Sequence, residues 1–339
     1  MTFWLSHNLA ARSIIGLSMT TLPVVLGPTL LGMPSTAAAQ TSSRETSADR
    51  IARLVRQLGD DRYTTRLRAE RELARIGEPA VPALARAVRS RSAEVRLRAR
   101  RLLNIVQHEL LLRKFRRLAD EEDDARINLT DGMLLISQVV DPTADSKEVT
   151  AQLDALANKV RKRLGANVDP KRADPKQLMK ALGQVLFVEE KFIGNRDDYD
   201  NPGNSSLERV LATRRGLPIL LAHVVVCVAD RLGVPLVGLA VPHRYMVKYD
   251  GQRAPPGLAK SDIIMDPYDG GKIVTVDDLE DIVARLGGGF DPLRHLTPAT
   301  HRETLARMLR NLQNDYSQAG DAQKEQQVGK YLELFEEEP

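Results

Sequence analysis

From residue 50 onward the apolar positions recur at helical spacing. Ile51, Leu54, Val55 and Leu58 fall at i, i+3, i+4 and i+7 and predict a helix that Gly59-Asp60-Asp61 ends. Leu67, Ala69, Leu73 and Ile76 predict a second helix, stopped by Gly77. Pro79 opens a third over Val81, Leu84, Ala85 and Val88, and a fourth runs from Glu94 to Val106. The pattern then predicts a charged helix over 108–125 and helices over 130–140, 149–164 and 176–189, with a loop over 165–175. After a long polar loop and a short helix over Leu207–Ala212 comes a run from Ile219 to Leu232 that is apolar almost all round. Pro218 stands where a helix's first position tolerates proline and Gly233 stops the run, so this is the expected buried central helix. Strand-like runs follow: Val237–Val241 leading into the alternating 244–249, then 262–267. Leu305, Met308, Leu309 and Leu312 share one helical face, Gly320-Asp321 breaks it, and Val328, Tyr331, Leu332 and Phe335 mark a last helix before an acidic end at 336–338. Together the elements predict an α+β fold.

Ahead of this pattern the chain differs. Arg12 is the only Lys or Arg in residues 1–13, an apolar run spans Ile14 to Met33 interrupted by Pro23 and Pro28, and Ala37-Ala38-Ala39 follows. This reads as a secretory signal peptide over 1–39, cut after Ala39, with an uncleaved membrane anchor as the alternative. Either reading exports the rest to the periplasm or beyond, and no later segment is apolar and long enough for a second span. Residues 40–49 are polar and read as a linker.

Composition changes the picture at two points. With 339 residues, at about 100–200 per domain, two or three domains are expected. A single cysteine, Cys227, excludes an internal disulfide and any multi-cysteine metal site. The net charge is only +4, but between Arg50 and Arg101 fifteen arginines face six acids. That is either a solvated helical surface or a face for an anionic envelope component, since the guanidinium fork pairs with carboxylate and phosphate. Nucleic acid is not expected, because no aromatic residues are interleaved for base stacking.

Several phrases carry a resemblance. Arg75-Ile76-Gly77-Glu78-Pro79-Ala80-Val81-Pro82-Ala83-Leu84, followed by Glu94-Val95-Arg96, resembles a HEAT repeat. Gly194-Asn195 with Asp198-Tyr199, Asn204-Ser205 with Leu207, Arg214-Arg215-Gly216-Leu217-Pro218, Arg231-Leu232-Gly233-Val234-Pro235 and Asp266-Pro267-Tyr268-Asp269-Gly270-Gly271 occur in an order similar to the transglutaminase-like domain of bacterial SirB-type proteins. The tail, with Ala306–Leu312, Tyr316 and Gly320-Asp321, resembles their tetratricopeptide-like hairpin. The resemblance implies a papain-like core with a central helix packed on antiparallel strands. It divides the chain into a HEAT-like unit over 50–107, the transglutaminase-like domain over 108–295 and the hairpin over 296–339.

In active members of that family the resemblance implies a Cys at the start of the central helix, a His on the next strand and an Asp beyond, an arrangement for acyl transfer. Here those positions hold Pro218, Arg244 and Asp266. His243 lies one residue early, and a one-residue slip turns a strand side chain to the other face unless a bulge restores it. Cys227 is nine residues past Pro218, about half a turn out of phase and about 13 Å along the helix, in a greasy run that suits a buried hydrophobe. His223 reads as a core histidine, Ser205 and Ser206 as loop hydrogen-bonding groups, and Asp266 as a turn cap or a partner for Arg244 or Arg215. No cofactor and no metal are expected. The expected function is therefore an exported, non-catalytic scaffold that binds a protein or peptide in a cleft lined by Asn204, Arg215, Gly216, His243, Tyr245, Asp266 and Tyr268. The alternatives are a peptidase or amidase with a site rearranged around His243 and Asp266, and envelope binding through the arginine-rich helices.

Overall fold

In the computed structural model, residues 46–258 and 260–336 are described. The expected signal segment and its cleavage site after Ala39 lie outside these residues. The first helix, α1 (Ser47–Gln57), begins earlier than the expected linker allows, because Thr46 and Asp49 form a capping box across its start. It packs with α2 (Tyr63–Ile76) and α3 (Val81–Ala87) on the first half of α4 (Ala93–Ala119). Leu54, Leu58, Leu73, Leu84 and Ala99 form the core of this layer. Gly77, at φ 69°, ends α2 in a conformation that L side chains rarely adopt. Glu72 pairs with Arg50 and Arg75, and Arg98 with Glu70 and Glu94, so these acids are spent inside the layer.

The separate helix expected over 108–125 does not form. No Gly or Pro interrupts 94–119, and α4 runs through as one 27-residue rod that Asp120 ends. The boundary expected at 107 thus falls inside a helix. Its first half serves the arginine-rich layer, while Leu111 and Phe115 belong to the main core.

That core is built by α5 (Leu129–Val140), α6 (Ser146–Leu164), α7 (Pro175–Gly183), α8 (Leu207–Thr213) and α9 (Pro218–Leu232). The helix expected to Glu189 stays α-helical only to Gly183 and widens into a π-turn over Gln184–Glu189. Two short strands missed by the pattern, β1 (Ile193–Gly194) and β2 (Arg215–Gly216), pair in parallel beside α9. The antiparallel sheet is β3 (Leu236–Val241), β4 (Arg244–Tyr249), β5 (Ile263–Asp266) and β6 (Lys272–Val274), in that spatial order. On β4, Tyr245, Val247 and Tyr249 join the α9 core, while Met246 joins a second core with α10 (Val276–Arg285). After α11 (Pro292–His295), α12 (His301–Gln318) and α13 (Ala322–Glu336) form an antiparallel pair.

The end of the chain is tied back to α4. Phe115 is fully buried, with ring centroids 4.8 Å from Tyr331 and 6.3 Å from Phe335. Phe115→Ala is expected to destabilise the protein by about 3–5 kcal/mol in urea unfolding followed by circular dichroism, because the cavity opens between three elements that cannot collapse independently.

Candidate functional site

Most of the sequence motifs gather toward the N-terminal end of α9, while Arg231-Leu232-Gly233-Val234-Pro235 closes its other end. Pro218 is its first residue and is buried; Leu217 precedes it without a side-chain cap. The Arg214-Arg215-Gly216 turn delivers the chain there. Arg214 ends α8 in the left-handed conformation, its guanidinium pairing with Glu190 at 3.0 Å and lying 4.7 Å over the Phe192 ring. Gly216 sits against Val210, where a Cβ would come within 2.8 Å of a methyl. These residues hold the turn. Arg215, a predicted cleft residue, points outward and meets Asp197 at 3.3 Å.

The polar loop over 195–206 is knitted by its own amides. Asn195 Nδ2 donates to Asn204 Oδ1 at 2.8 Å, and Asn204 Nδ2 donates to the carbonyls of Asp198 and Tyr199 at 2.6 and 2.9 Å. Asn204 is buried and fully engaged, so its work is to fix this loop and the position of Tyr199. Gly194 leaves room for the Tyr268 ring, which an added Cβ would meet at 2.2 Å.

Tyr268 is the centre of the arrangement. The guanidinium of Arg244 lies 4.7 Å from its ring centroid and that of Arg196 lies 5.5 Å away. Arg244 Nε also faces Asp266 Oδ2 at 3.8 Å. Asp266 is almost wholly buried and caps its own turn, its Oδ1 accepting from the N–H of Tyr268 at 2.9 Å and of Asp269 at 3.3 Å. Burial raises the Asp266 carboxyl above its usual range, with Arg244 and the two N–H donors acting against that shift.

His243 is placed elsewhere. Val241 pairs with Arg244, so Pro242 and His243 are the two corners of a tight hairpin; His243 is exposed at φ 56°. Among the described residues the Asp266 carboxylate meets Arg244 and backbone N–H groups, with no hydrogen bond to His243. The rearranged His243–Asp266 pair is therefore absent from this geometry, because a two-residue turn leaves no bulge to swing His243 inward. Tyr245 is also removed from the cleft: it is buried, its hydroxyl sharing a hydrogen bond with Thr304 at 2.8 Å. His223 lies in the core, its Nδ1–H donating to the Ile219 carbonyl at 2.7 Å, and burial pushes it down to about 4, so it stays neutral. Cys227 is buried at 3.5 Å from Thr130 Oγ1, and burial pushes its thiol up to about 11. Among the described residues no group of three His, Cys, Asp or Glu side chains is placed to hold a metal ion.

Three contributors escaped the sequence reading. Arg307 of α12 donates to the carbonyls of Val241 and Arg244 at 3.2 and 2.9 Å and so clamps the hairpin that carries Arg244. Tyr199 stands at the site's edge, where burial raises its phenol. Asp315 follows Met308 and Leu312 on one buried face of α12, and a carboxylate on an apolar stripe was the available signal. Its Oδ2 accepts from Ser205 Oγ at 3.4 Å; burial, reinforced by Asp200 and opposed by Ser205, pushes it up to about 7.

Residues 147–310 match the model of the transglutaminase-like superfamily. A UPF0162 protein of Xylella fastidiosa is 32% identical over 214 residues, covering 62% of this chain and 72% of that protein. A UPF0162 protein of Pseudomonas aeruginosa is 28% identical over 183 residues, covering 53% and 62%. Human F-box only protein 21 is 27% identical over 260 residues, covering 70% of this chain and 40% of that protein. No solved structure matches.

The Asp315 carboxyl sets a pH dependence. Unfolded, it ionises near its ordinary value of about 4, and folded, at about 7, so between these the native state holds the extra proton. Stability is therefore expected to fall as pH rises through that window and to level off above it. Asp315→Asn is expected to flatten this slope and stabilise the protein at pH 8 by about 1–2 kcal/mol, after allowance for solvent screening at the loop's edge. Urea unfolding at pH 5 and pH 8 measures both.

Proposed function

Because the chain belongs to the UPF0162 family of transglutaminase-like proteins, we propose that it is a non-catalytic member whose cleft binds a protein or peptide. One observation carries the reading: Pro218 occupies the first position of α9, where the resemblance implies the nucleophile, and a proline has no group to attack with. The neighbouring residues support it. Arg244 stands at the position implied for the general base, and a guanidinium offers N–H donors with no acceptor for a proton. The cysteine is buried, with its thiol held protonated. What the site offers instead is the guanidinium groups of Arg196 and Arg244 laid over the buried Tyr268 ring, beside the exposed Tyr199, with Arg244 held by Asp266. Planar cations over aromatic rings suit a peptide that carries a carboxylate.

The surroundings favour a scaffold. The α1–α4 layer reads as a HEAT-like unit and the α12–α13 pair as a tetratricopeptide-like hairpin, and both types of unit commonly present binding surfaces. In F-box only protein 21 the matching segment is one part of a longer chain, as suits a module. The apolar segment over 14–33 supports export.

The test is turnover. The purified mature chain, incubated with fluorogenic peptide and amide substrates and with an amine acceptor, is expected to release no product above buffer. Thiol-dependent hydrolysis or amide transfer, lost in Cys227→Ser, would overturn the reading.

A further inference from the structure

A second site lies away from this cleft, where α4 meets the end of the chain. A cavity of about 570 Å³ opens between the middle of α4, the end of α5 and the first half of α13. A smaller one of about 250 Å³ continues it toward α3. The two share Gln107, Leu111, Gln138 and Pro142, so they adjoin end to end along α4 as an elongated depression with these residues between its lobes. The larger lobe alone is in the size range of ligand sites.

The lining says what fits. Along the groove run the side-chain amides of Asn104, Gln107, Gln138, Gln323, Gln326 and Gln327. Each presents a donor and an acceptor in the plane of a peptide group. Two of them have partners: Gln107 Nε2, between the lobes, donates to the Pro142 carbonyl at a long 3.4 Å, and Gln327 Nε2 donates to Tyr331 Oη at 2.8 Å. Among the described residues the other four make no hydrogen bond. Ile105, nearly half exposed, and Leu111 give the floor an apolar strip. At the larger lobe Arg101, Lys324 and Lys330 face one acid, Asp321, whose Oδ1 is already occupied by the Lys324 N–H. His108 sits among them, its Nδ1 hydrogen-bonded with Tyr331 Oη at 2.7 Å and its pKa lowered by burial and by Lys330.

We propose that this groove binds an extended acidic peptide segment, its main chain met by the amide ladder and its carboxylates by Arg101 and Lys330. Elongation favours an extended chain over a compact small molecule. The amides favour a peptide backbone, and the charge balance of the larger lobe favours acidic side chains. The proposal is independent of the cleft at α9, because the groove shares none of its residues.

Fluorescence anisotropy of the mature protein with a fluorescein-labelled hexapeptide of alternating Leu and Glu tests it, with the Leu–Lys counterpart as control. The acidic peptide is expected to bind at least tenfold tighter than the basic one, and more weakly as salt rises. Lys330→Glu and Arg101→Glu, both exposed positions, are each expected to weaken it at least fivefold with an unchanged circular dichroism spectrum. Undetectable binding overturns the proposal. So does equal binding by wild type and both variants, which would place the peptide on the arginine-rich face of α1–α3. Equally tight competition by N-acetylglutamate would show a single-carboxylate site and also overturn it.

Discussion

Everything in the core domain follows from the need to enclose α9. Of its residues Pro218 to Leu232, only Asp230 and Arg231 reach appreciable solvent. A helix that is apolar nearly all round has no solvent face and must be covered on every side. Helices α6 and α8, strands β3 and β4 and the turn at 267–269 supply that cover. The enclosure has chemical consequences. A buried imidazole and a buried thiol each lose their charged form to desolvation, so His223 is neutral and Cys227 is protonated and inert. The most reactive side-chain types on this helix are thereby held in their uncharged forms by the same burial that stabilises the fold.

What remains at the helix's N-terminal end is an assembly of cations, aromatic rings and amides. Asp266 anchors it by capping its own turn and facing Arg244, while Tyr268 lies between two guanidinium groups. Arg307 reaches across from α12 to hold the hairpin that positions Arg244. The tail is thus part of the site's support, and the matched family segment extends to residue 310, into α12.

Much of this was legible in the sequence. Pro218 and Gly233 bracket α9, and its uniform apolar pattern announces burial. That a proline opens α9 was legible at Pro218 itself, and the pairing of Asp266 with Arg244 was among the readings that the residue types allowed. The remainder depends on pairing that is remote in the chain. Strands β1 and β2 are two residues each and exist only because they find one another. The continuity of α4 past 107 was hidden because the two halves of the helix serve different cores, so its apolar phase changes although its backbone does not. The fate of His243 was set by the hairpin register, in which Val241 faces Arg244 and leaves only two residues for the turn. Arg307 looks like an ordinary helix-surface charge until the β3–β4 hairpin is laid against α12, and Asp315, out of place on an apolar stripe, finds its partner Ser205 only when the loop over 195–206 packs there.

The central claim is that burial of α9 leaves the protein without usable thiol chemistry. The rate of Cys227 alkylation by iodoacetamide, measured across a urea series, tests it most directly. The account predicts negligible modification of the native state and a rate that rises only with the unfolded fraction, following the global unfolding curve. Rapid modification in the absence of urea, at or above the rate of a free thiol, would contradict it.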